Sequence, residues 1–257
     1  MIYADYTASG RSLKFIEDYI EKYILPSSVF LKTSIVLIYP CLIIRYGNTH
    51  SENSFCSSQT TKFREEARDL IKQSVHASED DVIIFAGTGN VKSKSKIFWK
   101  YSFAFDIGST GAIHKLVDVL QLKHEENREK FIVFISAFEH HSNILPWKET
   151  GVQILRIPYD NQGLLDQNIL KQQLEYYHTQ TNKQIICTFN AASNVTGIMT
   201  DVDAVSILVH QYHDWIFWDY AAAGPYLKID MNSSDLAYKD AIFISTHKFV
   251  GGPGTPG

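Results

Sequence analysis

Lys248 lies in Ser245-Thr246-His247-Lys248-Phe249-Val250-Gly251-Gly252, directly after the apolar run Ala241-Ile242-Phe243-Ile244. A strand therefore runs into a polar turn that holds one lysine, with glycines behind it. Partial desolvation at a strand end lowers an amine's pKa and frees it to form a Schiff base with a carbonyl group. A second apolar run, Trp215-Ile216-Phe217-Trp218, ends on Asp219. An amine and a carboxylate at the ends of neighbouring strands match what pyridoxal phosphate (PLP) needs. The amine is a covalent anchor, and the carboxylate a partner that keeps the ring nitrogen protonated. The plainer readings are a surface lysine after a strand and a strand-end carboxylate capping a turn. The aromatic run before Asp219 argues for burial, and a buried carboxylate needs a partner.

The elements that must position this pair follow from periodicity. The spacing predicts helices over 12–23 (Leu13, Ile16, Tyr19, Ile20 and Tyr23 on one face), 59–75 (Phe63, Ala67, Leu70 and Ile71 inward), 110–122, 166–177 and 201–212, the last capped at Thr200 or Asp201. Short apolar runs predict buried strands over 81–85, 131–135, 152–157, 184–189, 216–218 and 242–244. Strands alternating with amphipathic helices indicate an α/β chain, a three-layer α/β/α sandwich around a mostly parallel sheet.

Two stretches break the pattern, 28–45 and 90–108, both rich in Ile, Phe, Lys and Ser without a clean period. They read as insertions, either surface loops or translated introns, and loops tolerate the former well. Removing the second joins Gly87-Thr88-Gly89 to Ser109-Thr110-Gly111, a loop from strand into helix whose backbone N–H groups and hydroxyls suit a phosphate.

Composition narrows the class. The chain has 257 residues, 45% of them hydrophobic, and a net charge of −4, which fits an ordinary globular protein and argues against a nucleic-acid partner. Three cysteines, Cys41, Cys56 and Cys187, form no CxxC pair, so neither a zinc site nor a disulfide framework is expected and a reducing, cytoplasmic setting is. The longest apolar run, 35–44, contains Pro40 and is too short to cross a bilayer, and the polar residues after Met1 do not read as a signal peptide. There is no GxGxxG and no Walker loop, which weakens a nucleotide-binding reading.

Six motifs in order carry a resemblance: Tyr6-Thr7-Ala8-Ser9-Gly10, Tyr46-Gly47-Asn48-Thr49-His50-Ser51, Glu139-His140-His141-Ser142-Asn143, Ser193-Asn194-Val195-Thr196-Gly197, Asp219-Tyr220-Ala221-Ala222 and Ser245-Thr246-His247-Lys248. Together they resemble class V aminotransferases, PLP enzymes of fold type I whose relatives include cysteine desulfurases and selenocysteine lyases. The resemblance implies a mixed, mostly parallel sheet between helices and a homodimer acting on an amino acid. It makes Lys248 the Schiff-base lysine and proton carrier, Asp219 the partner of the ring nitrogen, and His140 the ring that stacks on the cofactor. Ser109, Thr110, Ser245 and His247 become phosphate ligands, and Asn194 a neighbour of the phenolic oxygen and substrate. Asn48 and His50 lie on a loop that can approach the substrate.

The chain departs from the desulfurase pattern at Ala222, where a glutamine usually contacts the phenolic oxygen. By the same resemblance, residues 1–257 are the large PLP-binding domain, cut before a smaller C-terminal domain that supplies a substrate-binding arginine and a mobile cysteine. The outcome expected is cysteine desulfuration or another lyase reaction, or else transamination. The opposing reading is a non-catalytic fragment or interaction protein that keeps only the fold. Metal binding by His140 and His141 is not expected, because neighbours on an extended segment point to opposite sides.

Overall fold

The computed structural model describes residues 7–19, 22, 55–86 and 108–252, with the backbone alone at 55 and 56. The stretch 28–45 and residues 90–107 of the second expected insertion lie outside the described residues, as do Asn48, His50 and the Gly87-Thr88-Gly89 loop. The chain divides into two compact units, Ser12–Ala77 and the remainder, Met1–Arg11 with Ser78–Gly257.

The first of these contains α1 (Lys14–Tyr19) and α2 (Phe55–Ser74). The expected inward face of α2 is rotated. Phe63 is 40% and Leu70 59% exposed, while the less exposed stripe runs through Arg64, Ala67, Arg68, Ile71 and the buried Val75 beyond the helix end. Arginine stems take part in that stripe because their methylenes cover apolar surface while the charge stays wet. On α1, Tyr19 is exposed, whereas Leu13 and Ile16, grouped with it on one face, are half-buried.

The larger unit is built on a sheet. Its strands are β1 (Phe131–Ser136), β2 (Gln153–Ile157), β3 (Gln184–Asn190), β4 (Trp215–Asp219) and β5 (Ala241–Phe243). They run in the order β2-β1-β3-β4-β5, and each neighbouring pair is parallel. A parallel sheet must be covered on both faces, and the central strands β1 and β3 are buried almost throughout. Alternation sorts their side chains. Val133, Ile135, Ile186, Phe217 and Phe243 form one core with Ile113 and Val117 of α3 (Ser109–Val119), and α4 (Glu125–Arg128) follows that helix. Trp147 of α5 (Leu145–Thr150) completes this layer. On the other face, the Trp218 indole donates to Ser206 Oγ of α7 (Val202–His210) at 3.0 Å, and Phe134 meets Tyr177 of α6 (Gln167–Gln180) edge to face. The architecture is the expected three-layer α/β/α sandwich.

Some expectations are corrected. Residues 81–86 join no strand among the described residues, and Val82 and Ile84 are exposed, so this apolar run is not a buried strand here. A continuous apolar run signals burial only when a neighbouring strand accepts its ladder. α3 stops at Val119, short of the expected Leu122. Of the two candidate caps for α7, Asp201 does the work, its carboxylate accepting from the Ala204 N–H at 3.1 Å. The Thr200 hydroxyl instead donates to the Asn190 carbonyl at 2.9 Å. Among the described residues no helix is long and apolar enough to cross a membrane.

A buried histidine ties α7 to the start of β5. His210 Nδ1 lies 2.8 Å from the Leu236 carbonyl and Nε2 3.0 Å from Asp240 Oδ2, with Tyr238 stacked on the ring. Both partners are acceptors, so both ring nitrogens must donate, which is the imidazolium. Burial opposes that charge, but the bonds to Asp240 and Leu236 and the Asp240 charge outweigh it and the nearby Lys239, so the pKa is raised above 6.5. A raised folded pKa contributes stability that is complete below the unfolded value and is lost as pH climbs through the folded one. The urea midpoint is therefore expected to fall as pH rises above 6.5. His210→Gln, which cannot titrate, is expected to flatten that slope, and an unchanged slope would remove the histidine from the account.

Candidate functional site

The strand order reverses between β1 and β3, since β2 lies on one side and β4 and β5 on the other. In open parallel sheets, ligands bind outside the carboxyl ends of the strands at such a switch point. The carboxyl ends here deliver Glu139-His140 after β1, Asn190 at the end of β3, Asp219 at the end of β4, and Ser245 to Lys248 after β5. They surround a cavity of about 540 Å³, within the usual range for small-molecule sites. Lys248, Asp219, His140 and Asn194 all line it, and so do Ser109, Thr110, Ser245 and His247. The fold thus brings these eight residues, all singled out for the cofactor, to one cavity.

Asp219 is buried, and its Oδ1 accepts from the Ala221 N–H at 2.8 Å. Its other oxygen takes no hydrogen bond among the described residues. Burial raises the Asp219 pKa, while the Ala221 N–H and the Lys248 charge oppose this. Lys248 ends a short 3₁₀ turn, Thr246–Lys248, and its amine makes no hydrogen bond among the described residues. Burial lowers its pKa and Asp219 holds it up. Desolvation outweighs the Asp219 charge, so the amine is closer to its neutral, nucleophilic form than a surface lysine.

The turn carrying Lys248 is braced by the N-terminal segment. The Gly10 N–H donates to the His247 carbonyl at 3.0 Å, and a Cβ on Gly10 would overlap the Phe249 backbone. Only glycine allows that approach.

At the opposite end, α3 begins after Gly108, whose φ of 73° lies in the left-handed region. Among the described residues no side chain caps this helix start, so none of them takes up its first N–H groups as a cap. Ser245 Oγ donates to Ser109 Oγ at 3.1 Å, and a side chain at Gly108 would contact His247 and Ser245. Hydroxyls and N–H groups converge here as an anion requires. Burial and the Lys248 charge lower the His247 pKa, which favours a neutral ring.

One expectation about the histidines fails. The His140 and His141 rings do not point apart; their centroids are 3.9 Å from each other at 41°. His140 is extended, but His141 opens the 3₁₀ turn His141–Asn143, and the bend turns the second ring beside the first. No metal-holding cluster is present among the described residues. Cys187, in β3, is buried as core, and desolvation raises its thiol pKa.

Sequence reasoning missed several neighbours. Thr7, Ala8, Ser142, Asn190 and Ala192 also line the cavity. The motifs containing Thr7 and Ser142 were visible, but nothing in their spacing gave them a role. Behind the site, the Glu139 carboxylate accepts from Ser136 Oγ at 2.5 Å, Asn143 Nδ2 at 2.7 Å and the Asn190 N–H at 2.8 Å. Burial pushes its pKa up to about 8, and the Asp219 charge adds to this against those three donors.

Residues 90–256, more than half of the chain, match the family described as aminotransferase class-V. The chain belongs to that family. Within it, a probable cysteine desulfurase from Haemophilus influenzae is 26% identical over 212 residues, covering 80% of this chain and 40% of the relative. A cysteine desulfurase from Synechococcus elongatus is 23% identical over 212 residues, covering 81% of this chain and 29% of the relative. The class-V chain thus spans less than half the length of these relatives. Among solved structures, a NifS-like protein from Rickettsia africae superposes with a TM-score of 0.65 at 19% identity, covering all of this chain and 56% of that one. The apo cysteine desulfurase from Thermococcus onnurineus gives 0.67 at 16% identity, covering 97% of this chain and 50% of its own. At that identity these two likenesses speak for the fold alone.

Proposed function

We propose that residues 1–257 form the cofactor-binding domain of a PLP-dependent enzyme that acts on cysteine, with cysteine desulfuration as its reaction. The observation that carries this reading is the pairing, in one cavity, of the Lys248 amine and an Asp219 carboxylate oxygen, neither of which makes a hydrogen bond among the described residues. The donor set fits the group. Asp219 suits a ring N–H, His140 a flat aromatic face, and the α3 start with Ser109, Thr110, Ser245 and His247 a phosphate. When bound, PLP supplies a carbonyl carbon for an amine and an electron sink for a carbanion. Lys248 provides the attacking amine and then a base that takes the proton from the substrate's alpha carbon. Asp219 holds the proton on the ring nitrogen, and Asn194 faces the substrate side. The choice of cysteine rests on the relatives' names, desulfurases in both cases. Alanine at Ala222 leaves one contact to the phenolic oxygen unmade, so transamination is the second outcome. By the family resemblance, the working form is a homodimer.

The test is retention of the cofactor through gel filtration, followed by addition of cysteine, serine or alanine. The expected result is one PLP per chain, with an absorbance change specific to cysteine. A chain that retains no PLP sinks the reading and leaves the interaction-protein alternative.

A further inference from the structure

The ring of His140 is held by an interaction that the proposed chemistry does not use. Its Nδ1 lies 3.3 Å from the Ser142 N–H and 3.0 Å from Ser142 Oγ. A backbone N–H only donates, so Nδ1 must offer its lone pair. A neutral ring then carries its proton on Nε2. The Ser142 hydroxyl has a second neighbour, Thr110 Oγ1 at 2.8 Å, and both residues line the cavity. One arrangement satisfies all three groups: Thr110 O–H donates to Ser142 Oγ, and Ser142 O–H donates to His140 Nδ1. Each bond in such a chain polarises the next.

We propose that Ser142 is a positioning residue that holds His140 as its Nε2–H tautomer, and that Thr110 strengthens this hold through the Ser142 hydroxyl. Thr110 is the second residue of α3, beside the start where the phosphate is placed; its one hydroxyl proton goes to Ser142 in the relay, so what it offers a phosphate there is its backbone N–H. Protonating Nδ1 would turn it from acceptor to donor against the Ser142 N–H. The relay therefore resists formation of the imidazolium and leaves Nε2 as the only ring N–H. The burial of the ring acts in the same direction, as do the His141 and Lys248 charges, the ionisable groups that act on it among the described residues. The catalytic meaning of the tautomer rests on the proposed function, but its existence does not, since it is measured on the chain without PLP.

The experiment is a pH titration of the ring nitrogens by long-range proton–nitrogen NMR on the full chain, with the His140 signals identified by their loss in His140→Gln. The wild-type ring is expected to show the Nε2–H pattern and a midpoint below that of an ordinary histidine. Ser142→Ala removes a hydrogen bond that favours the neutral form, which is expected to raise the midpoint by about one pH unit. Thr110→Val is expected to raise it by about half as much, and the double variant no further than Ser142→Ala alone. Ser142→Thr keeps the hydroxyl and is expected to restore the wild-type midpoint. A Ser142→Ala midpoint equal to wild type would overturn the proposal. So would Thr110→Val acting additively with it or not at all. Loss of PLP binding with the relay intact would instead strike the functional reading.

Discussion

Lys248→Ala is expected to abolish covalent capture of PLP while leaving the chain folded. Treatment with PLP and borohydride should add one cofactor mass to the wild-type chain and none to the variant. The physical basis is selectivity among amines. The chain has many lysines, and an exposed one such as Lys14 is solvated and paired with Asp18 at 2.8 Å. The Lys248 amine is partly desolvated and its pKa is lowered, so a larger fraction of it is neutral. The loss is local because the turn is held by its backbone. The Gly10 N–H donates to the His247 carbonyl at 3.0 Å, and the Gly251 N–H to the Arg11 carbonyl at 2.5 Å. Removing a side chain that makes no hydrogen bond among the described residues orphans no partner, so the thermal midpoint should stay within a few degrees, as about 1 kcal/mol or less implies. Equal labelling of the variant would mean that capture happens at surface lysines, and the assignment of Lys248 would fail.

The largest effect on stability is expected at a residue that the sequence did not distinguish. Asn143 is fully buried and joins three elements. Its amide nitrogen donates to Glu139 Oε2 at 2.7 Å, and its carbonyl oxygen accepts from Trp147 Nε1 at 3.3 Å and Thr188 Oγ1 at 2.8 Å. These donors and acceptors allow only one orientation of the amide. Asn143→Ala strands the Trp147 N–H and the Thr188 hydroxyl in a dry layer and takes a donor from a buried carboxylate. Each buried group left unsatisfied costs about 1–3 kcal/mol, so a loss of about 3–5 kcal/mol is expected in urea unfolding. Asn143→Asp should be no milder, since it sets a second carboxylate against Glu139, whose own pKa burial has already raised to about 8. A loss under about 1 kcal/mol in the alanine variant would show that water enters and replaces the lost partners.

This network also serves the site. Glu139 Oε1 accepts from the Asn190 N–H at 2.8 Å, and Asn190 is the register partner of Asp219 in the β3–β4 pair. The segment bearing His140 is thereby fastened to the strand beside the one bearing Asp219. Unfolding and cofactor binding are expected to be linked through it, because anything that binds the native cavity stabilises the whole layer.

Much of this was legible before folding is considered. The alternation of apolar runs with amphipathic segments dictated helices on both faces of a parallel sheet, because a strand buried on both sides cannot alternate polar and apolar residues. Lys248 and Asp219 could be singled out because strand ends in such sheets are where side chains leave the core for a crevice. What the order of residues could not convey was how segments far apart in the chain meet. Thr7 and Ala8 reach the cavity, Gly10 fits under Phe249, and Ser142 meets Thr110, each across many intervening residues. The opposed expectation for His140 and His141 failed because a single 3₁₀ bend, stabilised by the ring capping its own turn, outweighs the alternation of an extended segment. Local pattern is set by periods of two and 3.6 residues, which the chain carries in itself. Cavity walls, the satisfaction of buried polar groups and the shifts in proton affinity depend on which distant surfaces exclude water together, and only the tertiary structure decides that.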